Sequence, residues 1–147
     1  MASPRQVVID DRLLIEELLV GLRKTRRRVE LHTTSYWYYR ACRAAVVGAG
    51  GHLSGPFEQL AAAEQERAIL SLLELRDDIG LPDPRVTVPL MVDVAARYPK
   101  LNLLNLEAVA FARDSSATIW LSAQSAAGVL PAVLDGEGIP WEAVEVE

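Results

Sequence analysis

The sequence predicts a three-layer α/β/α domain built on a mainly parallel sheet of four or five strands. Short β-branched or aromatic runs alternate with longer stretches of helical periodicity, the pattern of strands joined by helical crossovers. The first run, Val7-Val8-Ile9, is apolar without alternation, as a strand covered on both faces requires. The chain has 147 residues, 50% of them hydrophobic, enough for a core on each side of a sheet. One domain over residues 1–147 is expected.

Taken in order, Val7–Ile9 passes almost at once into Leu13-Leu14-Ile15-Glu16-Glu17-Leu18-Leu19, and Leu14, Leu18 and Leu22 continue a helical stripe. That helix is expected to end in Arg26-Arg27-Arg28, where cations favour the carbonyl end of the dipole. An anion or RNA contact is the competing explanation for these arginines. Thr33-Thr34-Ser35 offers N-caps for a helix over Tyr36–Val47. On it Trp37, Ala41 and Ala44 share a core side, while Tyr36, Arg40 and Arg43 share another. Gly48-Ala49-Gly50-Gly51 is a break that lacks the Lys-Ser/Thr of a phosphate-binding loop.

Ser54-Gly55-Pro56 opens the next helix, which runs to Leu75 with Leu60, Ile69, Leu72 and Leu73 on its buried side. After the Gly80–Pro84 break, Arg85-Val86-Thr87-Val88 reads as a second strand ended by Pro89. Helices are expected over Leu90–Tyr98, stopping before Pro99, and over Leu103–Arg113. Ala117–Leu121 is the third strand candidate, Ser125–Leu134 a helix kept short or kinked by Gly128 and Pro131, and Gly138–Val146 a final edge strand.

Net charge is −5, which argues against a protein that coats nucleic acid with its whole surface, yet the basic residues are unevenly placed. Arg23, Lys24, Arg26, Arg27, Arg28, Arg40 and Arg43 all fall between residues 23 and 43, opposed there only by Glu30. No secretory signal or membrane-length apolar run is apparent, so a cytoplasmic chain without a membrane partner is expected. Cys42 stands alone beside two separated histidines, which excludes a disulfide framework and a zinc-ligand cluster.

Asp10 sits where the first strand meets its helix, at the carboxyl end of the sheet where open α/β folds place their sites. Asp10 or Asp11 could equally serve as the N-cap of that helix. These two readings stay open in the sequence.

The Val-Ile-Asp ending of the first strand before a leucine-rich helix, and the later Pro89-Leu90 with a helix ending in Arg97-Tyr98, resemble the PIN-domain fold of VapC-type toxins. The run Leu101–Ala112 leading into Ala117–Ser122 is similar to that family's late helix-strand pair. The resemblance implies a ribonuclease using magnesium or manganese held by about four clustered acids, since hard divalent cations want oxygen ligands and a bound water must be activated. Asp10 matches the first acid. The second position meets Tyr39 and Arg40, the third falls on Asn105 or, in a shifted register, Glu107, and the fourth meets Ser122-Ala123-Gln124-Ser125.

The resemblance therefore implies a catalytic set of Asp10, Glu107 and Asn105, with Asp10 and Glu107 as metal ligands, and magnesium or manganese bound weakly or not at all. Three activities follow as expectations. The first is a weakened, single-metal endoribonuclease. The second is a non-catalytic module that binds RNA through Arg26, Arg27, Arg40, Arg43 and Tyr36. The third is a homodimeric protein-interaction module using the Trp37 helix, with an antitoxin-like peptide as partner.

Overall fold

The computed structural model describes residues 4–23, 28–48 and 53–146. Strand β1 (Arg5–Ile9) runs between β2 (Val29–His32) and β3 (Thr118–Leu121), and β4 (Trp141–Ala143) extends the sheet beyond β3. The four strands pair in the order β2-β1-β3-β4, all parallel. Val7 faces Leu31 on one side and Thr118 on the other, so β1, like β3, has neighbours along both edges. Its position explains its composition: a central parallel strand has no solvated face.

The two sides of β1 open into two cores. Val7 and Ile9 enter a cluster with Leu13 and Leu14 of helix α1 (Asp11–Leu19), Ala41 and Ala44 of α2 (Ser35–Val47), Phe57 of α3 (Gly55–Glu58) and Leu72 of α4 (Ala62–Leu73). Val8 points the other way, toward Val94 of α5 (Pro84–Arg97), Val109 of α6 (Leu103–Ser115) and Leu134 of α8 (Leu130–Gly136). The sheet is thus the middle of three layers, as expected. Burial of each such side chain contributes roughly 1.5–3 kcal/mol, so a charge at Val8 would empty one layer of its anchor.

Several boundaries differ from the sequence expectation. Helix α1 stops at Leu19, well before the arginine run, because Gly21 adopts φ +96° and both Val20 and Gly21 donate their N–H to Glu16 O. A left-handed glycine closes a helix by turning the chain back on its last carbonyls. Leu22 remains buried outside the helix, its N–H held by Glu17 Oε1 at 2.9 Å. Arg26 and Arg27 lie outside the described residues, as does most of the Gly48–Gly51 break.

The segment Arg85–Val88 is the first part of α5 and not a strand. Asp83 caps it by accepting from Arg85 N–H at 3.0 Å, Pro84 occupies the first turn, and the buried Thr87 and Val94 stand two turns apart. Pro89 sits on the solvent side of that helix, where the loss of one backbone bond is tolerated. The second strand is instead Val29–His32, a segment for which the sequence predicts no strand. The long helix expected from Gly55 divides at Gln59 into α3 and α4, and Ser125–Leu134 divides into α7 (Ala123–Ala126) and α8, with Pro131 in the first turn of α8. Among the described residues no helix is long and apolar enough to cross a membrane.

Candidate functional site

β1 delivers Asp10 and Asp11 to the carboxyl edge of the sheet, and the two carboxylates take different surroundings. Asp10 is fully buried and caps α1: its Oδ1 accepts from Leu13 N–H at 2.9 Å. Its Oδ2 accepts from the Ser122 N–H at 2.9 Å and from Ser122 Oγ at 2.6 Å. One side chain therefore ties the end of β1 to the end of β3 and satisfies two buried backbone donors. The capping reading of Asp10 is realised, with a second tie that no local pattern announces.

Asp11 begins α1 and faces a cleft. Its Oδ1 accepts from Arg12 N–H at 2.8 Å, and its Oδ2 meets Arg40 Nε of α2 at 3.2 Å. The carboxylate is 5% exposed while the guanidinium side chain is 46% exposed, so the pair spans the boundary between core and water. Burial, then the nearby Asp10 charge, pushes the Asp11 carboxyl up to about 6, and Arg40 and the local backbone N–H groups only partly oppose this.

The cleft beside this pair encloses about 270 Å³. α6 contributes Asn105, with Asn102 just ahead of it, α7 contributes Gln124 and Ser125, and α2 supplies Arg40 and the buried ring of Trp37. Asn102 caps α6 through Oδ1, which accepts from Asn105 N–H at 2.9 Å. The side-chain amides of Asn105 and Gln124 make no hydrogen bond among the described residues and open into the cleft. Of the two registers for the third acid, Asn105 is the one that lines this cleft.

Glu107 is placed elsewhere. From α6 it reaches the start of α2, where Oε2 accepts from Ser35 N–H at 3.2 Å and Oε1 from Tyr36 N–H at 2.9 Å. Thr34 Oγ1 accepts the next donor, Trp37 N–H, at 3.1 Å. Three orphan amides of the helix N-terminus are thus met by one distant carboxylate and one local hydroxyl. A negative charge at this end of the helix dipole is also favourable.

A divalent cation needs several anionic oxygens at one point, and the donors here do not provide them. Asp10 and Glu107 have both carboxylate oxygens engaged by protein donors, Asp11 already faces a guanidinium, and the remaining cleft groups are amides and a hydroxyl. Among the described residues no three His, Cys, Asp or Glu side chains converge on a common point. The donor set does not suit magnesium or manganese.

The outer face of α2 continues from the cleft. Tyr36, Tyr39, Arg40 and Arg43 are all exposed, confirming the expected placement of Tyr36, Arg40 and Arg43 on one solvent side. Tyr39, 62% exposed, joins that face, at a position where the resemblance implies an acid. Asp11, Asn102 and Gln124 also line the cleft, and none of the three belongs to the candidate site set that the resemblance implies. The neutral side chains after β3 place an amide within a run of small residues, at the position where the resemblance implies a carboxylate.

No family model matches the sequence, and no curated protein matches it. A solved structure of VapBC-1 from nontypeable Haemophilus influenzae contains a chain with a similar fold, at TM-score 0.58 and 13% sequence identity, covering 94% of this chain and 97% of that one. The likeness covers nearly the whole of both chains and shows a shared three-layer α/β/α fold.

Proposed function

We propose that this VapC-like chain binds single-stranded RNA through the exposed face of α2 and the adjoining cleft, without metal-dependent cleavage of its own. The observation that carries this reading is the Arg40 guanidinium set against Asp11 at the carboxyl edge of the sheet. A fixed cation there repels a divalent ion and attracts phosphate. Arg43 and the exposed rings of Tyr36 and Tyr39 extend the same surface, supplying a second phosphate partner and stacking planes for unpaired bases.

The test incubates the purified protein with a panel of labelled single-stranded RNAs, with and without manganese, and follows both retention and cleavage. Binding that weakens steeply with salt, is reduced in Arg40→Ala and Arg43→Ala, and leaves the RNA intact supports the proposal. Manganese-dependent cutting by the wild-type protein would overturn it in favour of the weakened single-metal nuclease. Absence of any RNA retention at low salt would remove the binding reading as well.

A second reading rests on a separate groove of about 880 Å³ between α1, α3 and α4. Leu18, Leu19 and Leu60 give it an apolar floor, and Arg12, Glu64 and Arg67 ring it with charge. This is the form of surface that takes an amphipathic segment of another chain. The structural neighbour is a VapBC assembly, so an antitoxin-like peptide is the partner this groove would accept. Calorimetric titration with such a peptide, against Leu60→Glu, tests it.

A further inference from the structure

The cleft beside Arg40 contains more amide chemistry than phosphate attraction requires. Arg40 alone can hold an anion. Asn102, Asn105 and Gln124 present uncharged donors and acceptors to the same space, and Asn105 and Gln124 have no partner within the described residues. Leu104 and Val129 flank them with apolar surface, and Val129 is largely exposed at the rim. Its volume, about 270 Å³, lies just below the range of small-molecule pockets and excludes a double helix.

We infer that the cleft is a recognition pocket for one unpaired nucleobase, whose edge is read by the side-chain amides of Asn105 and Gln124 while Arg40 holds the attached phosphate. An amide offers one donor and one acceptor in a plane, and the hydrogen-bonding edges of the bases offer the complementary pair. The apolar flanks suit the faces of a flat heterocycle, and the guanidinium lies within the same cleft as the amides. The three parts needed for a nucleotide, an edge reader, a hydrophobic slot and an anion partner, come from α6, α7 and α2. No segment of the chain holds all three, so only the fold brings them together.

This inference rests on the RNA-binding proposal and makes a narrower claim, that part of the binding depends on base identity. The two can fail separately. Fluorescence anisotropy would be measured with labelled decamers of adenylate, cytidylate and uridylate at several salt concentrations, for the wild type and for Asn105→Ala, Gln124→Ala and Arg40→Ala. The alanine variants at Asn105 and Gln124 should each weaken binding of the preferred decamer about tenfold and level the differences among the three, with the salt slope unchanged. Arg40→Ala should weaken all three by a similar factor and make the salt slope shallower.

Equal binding of all three decamers by the wild type, or amide variants that bind as the wild type does, would overturn the pocket while leaving RNA binding intact. Loss of all RNA binding would overturn both. Competition by adenosine, cytidine and uridine monophosphates separates the two sources of the same ligand chemistry. Displacement only at millimolar monophosphate supports a nucleotide within a strand, and displacement at micromolar monophosphate would show a free-nucleotide site and refute the RNA assignment. Thermal unfolding of each variant checks that the fold is retained. The Asn105 and Gln124 side chains make no intramolecular hydrogen bond among the described residues, so their removal should leave the melting temperature unchanged.

Discussion

Replacing Asp11 by Asn is expected to stabilise the protein, and only above the pH at which the wild-type carboxyl ionises. Burial and the neighbouring Asp10 raise that carboxyl from its ordinary 3.8 to about 6. A tenfold change in proton affinity corresponds to about 1.4 kcal/mol, so ionised Asp11 costs the folded state up to about 3 kcal/mol. Between the two values the folded chain keeps a proton that the unfolded chain has released. The contribution of this group to stability is therefore complete below about pH 4 and declines as pH rises through 6. Asn preserves the acceptor for Arg12 N–H and leaves Arg40 to water, where its exposure makes the lost ion pair a minor term. Urea unfolding of wild type and variant at half-unit steps from pH 4 to 8 should show coincident stabilities at the acid end. The variant's advantage should then grow to about 3 kcal/mol, or roughly 6–12 °C in melting temperature. A variant that is less stable at pH 7.5, or a difference independent of pH, would show that the Arg40 pair outweighs the burial cost and would refute the electrostatic picture of the cleft.

Three further outcomes are expected. Asp10→Ala should lose about 3 kcal/mol in urea unfolding, because it removes an N-cap and leaves the Leu13 and Ser122 N–H groups without their acceptor; Ser122→Ala, which keeps both backbone bonds, should lose less. Glu107→Ala should cost about 1–2 kcal/mol through the freed amides of Ser35 and Tyr36, and hydrogen exchange should quicken at the start of α2 while the rest of the sheet stays protected. Glu137 bonds Arg97, Arg113 and Tyr98, and chiefly the Arg97 bond holds its carboxyl below the ordinary value. Glu137→Gln should thus lower the melting temperature at pH 7, with the gap closing as pH falls through the acid range, since a depressed carboxyl loses its stabilising charge on protonation.

The sequence exposed those parts of the fold whose causes are local. Val7–Ile9 is apolar because it is central, and Thr34 caps a helix that starts where the Thr33-Thr34-Ser35 run stands. The errors fell where tertiary context decides. Val86-Thr87-Val88 carries β-branched side chains that favour a strand, yet Asp83 and Pro84 nucleate a helix there and the packing of Thr87 and Val94 completes it. β2 has four residues and an exposed Glu30 in the middle, so its strand character comes mainly from pairing with β1. Glu107 is legible as an acid on a helix, but its acceptors' partners lie over 70 residues away, at Ser35 and Tyr36, and no spacing rule reaches them.

The same distinction bears on how a lone surviving acid should be weighed. The resemblance seen in the sequence puts Asp10 at the family's first acid position, and such a placement invites a catalytic reading. In the structure its two oxygens accept three hydrogen bonds that join two strands and a helix, a sufficient physical reason for an aspartate at that point whether or not any ion is ever bound. Activity lost in Asp10→Ala would therefore not identify a catalytic group unless the variant were shown to be as stable as the wild type. Asp11, Asn105, Gln124 and Arg40 are the better probes, because they line the cleft and, apart from the cost of burying Asp11, carry little of the fold. A function located at this edge of the sheet should respond to these four residues, and a function located in the α1–α3–α4 groove should be indifferent to all of them.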